Sequence, residues 1–96
     1  MRLEWTAAAL KDRDRIFDYT EEFNPAAAIQ VDQRISDCVA RLEQHPLSGR
    51  IGRVEGTYEV VIVDTSFIAA YVIRGQVVTV LRILHCARNW PETLSD

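Results

Sequence analysis

Residues 52–91, GRVEGTYEVVIVDTSFIAAYVIRGQVVTVLRILHCARNWP, hold three strand signals in a row. Residues 58–63, 67–73 and 77–85 are rich in Val, Ile and Tyr, which suit a pleated, half-buried surface. Asp64, Thr65 and Ser66 separate the first pair by turn composition. Arg74, Gly75 and Gln76 separate the second, with Gly75 free to take a positive φ. Two hairpins in succession predict a three-stranded antiparallel meander, one face of which needs a cover.

The cover lies upstream. Residues 2–5, RLEW, alternate polar and apolar, and read as a short first strand. Thr6 is placed to cap a first helix over 7–22, whose expected buried stripe is Ala9 or Leu10, Ile16, Tyr19 or Thr20, and Phe23. The alternating charges Lys11, Asp12, Arg13, Asp14 and Arg15 read as its solvated face. Asn24 and Pro25 end that helix and start the next, because Asn caps and Pro at the first helical position gives up no needed N–H. The second helix is expected over 25–44, with Ala28, Val31, Ile35, Cys38, Val39 and Leu42 at three-and-four spacing. So short a link predicts an antiparallel helical hairpin. His45 and Pro46 stop it. Residues 46–57 hold three of the four glycines and read as an irregular loop with a small bridge between Ile51 and Val54. The fold class is therefore α+β: a single domain over 1–96, with an N-terminal strand, a helical hairpin and a meander forming a four-stranded open sheet.

Composition narrows the function. Nothing in the 96 residues reaches the roughly 18 apolar positions in a row that a membrane span needs, and the N-terminus lacks a signal-peptide core, so a cytoplasmic protein with no membrane partner is expected. Cys38 and Cys86 have no CxxC partner, and His45 and His85 do not cluster with them, so no metal and no cofactor is expected. Net charge is −3, with nine acids against six bases in residues 1–45 and five of each in 46–96. A nucleic-acid-binding domain of this size carries a basic excess, since phosphate neutralisation dominates its affinity. The balance here favours a protein partner. The glycine loop with Arg50 and Arg53 matches neither phosphate-binding glycine pattern.

The end of the last strand draws together the candidate site. Alternation sends Arg82 and Leu84 to one face and Leu81, Ile83 and His85 to the other, with Arg88 and Trp90 just beyond. Two readings are open. In one, His85 acts as acid or base on a phosphodiester and Arg53, Arg82 and Arg88 stabilise charge, with Glu59 or Tyr71 as the second base. In the other, no residue is catalytic: His85 bonds to backbone where the strand ends, Arg82 pairs with a carboxylate such as Glu59, and Trp5 and Trp90 edge the core. In that case Arg82, His85, Arg88 and Trp90 form a partner-binding end.

Several of these motifs resemble the ParE/RelE superfamily of bacterial toxins: Gly52-Arg53-Val54-Glu55-Gly56-Thr57, Glu59-Val60-Val61, Tyr71-Val72, Leu81-Arg82-Ile83-Leu84-His85 with Arg88, and Trp90-Pro91. The opening Leu3-Glu4-Trp5-Thr6 and the element order are similar too. The resemblance implies the RelE/ParE-like fold and a type II toxin neutralised by a cognate ParD-like or RelB-like antitoxin whose C-terminal segment wraps it. ParE-like members poison DNA gyrase. RelE-like members cleave mRNA on the ribosome with arginines on the later strands and a tyrosine or histidine near the C-terminus. Here residues 67–71 hold no arginine, Trp90 stands where tyrosine is expected, and Tyr58 follows Gly-Thr where ParE-like chains show arginine. The resemblance thus implies the ParE-like branch, with gyrase as target and ribosome-bound mRNA as the alternative.

Overall fold

The computed structural model describes residues 1–96. In chain order it has strand β1 (Arg2–Trp5), helices α1 (Ala7–Phe23) and α2 (Pro25–Ala40), a 3-10 turn (Arg41–Glu43), then β2 (Arg50–Ile51), β3 (Tyr58–Val61), β4 (Phe67–Arg74) and β5 (Val77–His85). The expected α+β arrangement is present. The sheet has five strands, not four, in the order β1-β5-β4-β3-β2. β3, β4 and β5 form the antiparallel meander. β1 lies parallel to β5, with Arg2 opposite Val77 and Trp5 opposite Val80. The expected bridge between Ile51 and Val54 does not form. β2 instead pairs Arg50 with Glu59 and Ile51 with Tyr58.

The helix starts follow their caps. The Thr6 hydroxyl accepts from Ala9 N at 3.0 Å and donates to Leu81 O at 2.8 Å, so one side chain both starts α1 and ties it to β5. Asn24 is shared: its N–H closes α1 on Thr20 O, and its side chain accepts from Ala27 N at 3.1 Å to start α2. The α-helix ends at Ala40 rather than at 44, as His45 and Pro46 approach. The chain tightens instead into i→i+3 bonding, with Gln44 N on Arg41 O. β3 stops at Val61 rather than 63, because Ile62 N bonds to Phe67 O and Asp64 takes a φ of 58° to close the turn.

The core lies between hairpin and sheet. Ala9, Ile35, Cys38 and Val39 from the helices meet Ile62, Ala69, Val80 and Ile83 from the strands. Fully burying each large aliphatic side chain contributes about 1.5–3 kcal/mol, so this layer dominates the stability. The expected ladder is buried: Ala28, Ile35, Cys38 and Val39 on α2 and Leu42 in the 3-10 turn after it, while Val31 packs at the margin. The α1 stripe differs. Ala9 is buried and Ile16 packs at the core margin, but Leu10, Tyr19 and Phe23 are exposed, the last two at 67% and 72%. Asp12 takes a buried position on that stripe. The run from Lys11 to Arg15 is therefore only partly a solvated face: Asp12 turns inward, and Arg13 crosses the hairpin to Asp32 at 2.7 and 2.9 Å.

The register of β4 and β5 slips once. Ala70 faces Arg82 while Tyr71 faces Val80, leaving Leu81 as the extra residue of a β-bulge. The slip explains why Val80 and Ile83, an odd number of positions apart, share one core cluster. The simple alternation expected for residues 81–85 therefore holds only beyond Leu81.

Candidate functional site

β5 loses its outer neighbour when β1 ends, and α1 begins there. The edge N–H of Ile83 would be left without a strand partner, and Asp12 supplies one: Oδ2 accepts from Ile83 N at 3.0 Å. The same carboxylate takes two hydrogen bonds from Arg82, Nε at 2.6 Å and Nη2 at 2.9 Å. These bonds to Asp12 raise the Arg82 guanidinium above its ordinary pKa, against the opposing effect of burial. Arg82 thus pairs with Asp12, not with Glu59 as expected. Asp12 was overlooked as a site residue, yet its signal is in the sequence: it sits three after Ala9 and four before Ile16, an acid on an apolar stripe.

Glu59 has other partners. It is 2% exposed, and the loop of residues 46–57 wraps its carboxylate. Arg53 donates from its backbone N at 2.7 Å, from Nε at 3.1 Å and from Nη2 at 3.2 Å, and Arg50 adds Nη2 at 3.2 Å. Burial alone would raise the Glu59 carboxyl, but the bonds from Arg53 and then Arg50 outweigh it and hold the group below its ordinary range. The Arg53 guanidinium also lies 3.8 Å from the centre of the Trp90 ring and reaches Cys86 O at 3.4 Å. Trp90 in turn donates from Nε1 to His85 O at 3.1 Å. The chain after β5 is thereby fastened to the loop before β3.

The other suggested base is occupied as well. Tyr71 is fully buried; its hydroxyl donates to Pro46 O at 2.8 Å and accepts from Gly49 N at 3.1 Å. Burial pushes its pKa up. Gly49 allows this close approach, since a Cβ there would stand 2.5 Å from both the Tyr71 hydroxyl and Glu59 O.

The structure therefore divides the expected residues. Arg53 and Trp90 belong to a clamp around Glu59. Arg82, His85 and Arg88 line a groove of about 650 Å³ between α1 and the end of β5, which Arg15 also lines. Ile16 and Phe67 contribute apolar walls. The His85 ring stands edge-on to Phe67 at 5.6 Å, and its Nδ1 accepts from Ala87 N at 3.1 Å, which places the proton of the neutral ring on Nε2. No three His, Cys, Asp or Glu side chains gather as a metal site, and no helix is long and apolar enough to cross a membrane.

Comparison with known proteins gives a consistent set of relatives. The family described as the ParE toxin of the type II toxin–antitoxin system, parDE, matches residues 3–90. The toxin-designated protein Y4kP of Sinorhizobium fredii is 39% identical over 93 residues, which span 97% of this chain and 96% of that one. Toxin RelE2 of Caulobacter vibrioides is 31% identical over 84 residues, 88% of this chain and 93% of that one. A solved structure of a chromosomal ParDE toxin–antitoxin system from P. aeruginosa superposes with a TM-score of 0.82 at 30% identity, covering 88% of this chain and 95% of its own.

Proposed function

The chain belongs to the ParE toxin family of type II toxin–antitoxin systems, and on that premise we propose that it is a cytoplasmic toxin that inhibits DNA gyrase by binding and is silenced by a cognate ParD-like antitoxin. One observation carries the non-catalytic part of this reading. Every polar group suggested as a second base is already engaged: Glu59 by Arg50 and Arg53, and Tyr71 by Pro46 and Gly49. His85 lies in the groove without a partner base, and Arg82 is committed to Asp12. A positioned acid or base contributes about 10²–10⁴-fold, so efficient acid–base cleavage of RNA draws on a base for the 2′-hydroxyl and an acid for the leaving oxygen.

The antitoxin reading draws on two exposed apolar areas. At the hairpin tip the Tyr19 and Phe23 rings meet at a tilt, their centres 5.1 Å apart, with Ile29 exposed early in α2. At the β2–β3 edge of the sheet Ile51, Val61 and, just past β3, Val63 are exposed, and β2 covers only two residues of β3. The first suits an amphipathic helix and the second an added strand, both recurrent modes of peptide capture. The ParDE assembly of the structural relative supports a partner of this kind.

A second reading, ribosome-dependent mRNA cleavage, is favoured by the relative named RelE2. Purified, antitoxin-free protein in a gyrase supercoiling assay, beside a translation reaction programmed with a defined mRNA, separates the two. The expected result is lost supercoiling or trapped cleaved DNA with the mRNA intact, and His85→Ala protein as potent as the parent. A cut mRNA with normal gyrase, abolished by His85→Ala, would reverse the assignment.

A further inference from the structure

The groove between α1 and β5 is framed by two exposed guanidiniums. Arg15 comes from α1 and Arg88 from the segment after β5, and neither takes part in any ion pair of the structure. The acid in the groove, Asp12, does not offset them, because its two oxygens are committed to Arg82 and to Ile83 N. Between the arginines lie apolar walls, Ile16 and Phe67 among them. About 650 Å³ is ample for one large side chain with its flanking backbone.

We propose that this groove is a docking site for a peptide segment of a protein partner that presents one or two carboxylates beside a single large apolar side chain. Charge complementarity selects the occupant. A net cationic groove on a chain of charge −3 is a local inversion, and such inversions orient and select acidic partners. The apolar side chain fills the space between Ile16 and Phe67, while its neighbouring carboxylates meet Arg15 and Arg88. A nucleic-acid strand fits less well. Its phosphates extend beyond the groove, where α1 carries Asp14, Asp18, Glu21 and Glu22 exposed to solvent. A short peptide confines its charge to the groove and can be neutral elsewhere.

The test titrates isotope-labelled protein with the capped peptide acetyl-Gly-Asp-Phe-Glu-Gly-amide and follows amide resonances by NMR. Its neutral counterpart, with Asn and Gln for the acids, and an oligothymidylate serve as the other arms. The acidic peptide is expected to shift Ile16, Thr20, Ile83 and Ala87, to bind at least about tenfold more tightly than its neutral counterpart, and to weaken as salt rises. Arg15→Glu with Arg88→Glu should lose about tenfold or more in affinity, whereas Lys11→Glu, an exposed charge on the same helix, should not. Equal binding of both peptides, shifts elsewhere on the protein, or no shifts would overturn the proposal. So would an oligothymidylate that moves the same amides more strongly, or shifts there that follow protein concentration without probe, which would assign the groove to a nucleic acid or to a second copy. The titration contains no gyrase, so its failure is distinct from failure of the gyrase reading.

Discussion

Glu59 and Asp12 are both buried acids, but they do different jobs. Glu59 gathers the loop of residues 46–57 onto β3 through Arg53 and Arg50. Its folded pKa lies below its ordinary 4.5, so its contribution is complete above that value and is lost as pH falls through the lower folded one. Glu59→Gln should cost about 2–3 kcal/mol at neutral pH, less than a fully buried pair because both arginines keep contact with water. The variant should also flatten the acid limb of stability. Urea melts of both proteins at about pH 3.5 and pH 7 check this, with the parent losing more between the two values. Asp12 is tied instead to an edge. Asp12→Ala leaves Ile83 N and Arg82 without their acceptor at once and should cost about 2–4 kcal/mol by denaturant melts.

Two elements meet at Thr6. β1 ends, α1 begins, and the β-bulge at Leu81 lies beside them, since Leu81 O accepts from the Thr6 hydroxyl. The bulge and Asp12 together finish the edge of β5 where it has no strand neighbour, and the groove opens there. On the other side of the sheet the loop before β3 is pressed close to the strands at Gly49. Gly49→Ala would set a methyl against backbone Glu59 O and the Tyr71 hydroxyl at 2.5 Å, neither free to move. Its expected outcome is a loss of about 1–3 kcal/mol, and a melt unchanged within error would show that the loop gives way there.

Seen as one body, the protein keeps Arg53, Glu59, Tyr71 and Arg82 in structural bonds and carries unpaired apolar and basic groups on the outside. Tyr19 and Phe23 illustrate the second half. They are large, exposed and in contact with each other, their rings tilted by 59°, and a monomer gains little from them. Tyr19→Ser with Phe23→Ser should leave thermal stability within about 0.5 kcal/mol of the parent. It should weaken binding of the cognate antitoxin by about tenfold or more, read by calorimetry. Undiminished antitoxin affinity would remove the hairpin tip from the interface.

Much of this architecture is written in near neighbours. Asn24-Pro25 marks the hairpin turn, Thr6 the start of α1, and the ladder from Ala28 to Val39 the buried face of α2, because capping and periodicity depend on residues within a turn of one another. The strands of the meander and the family are legible for the same reason. What the local pattern does not contain is the choice of distant partners. Asp12 and Arg82 are 70 positions apart, and a charge bound for a buried pair looks in sequence like one bound for solvent. The parallel seat of β1 beside β5, the slip at Leu81 and the sorting of Arg53 and Trp90 away from Arg82, His85 and Arg88 all follow from which strand edges the packed hairpin leaves open. That is settled when the layers close, since only then does an unpaired edge N–H or a buried carboxylate acquire a partner or a cost.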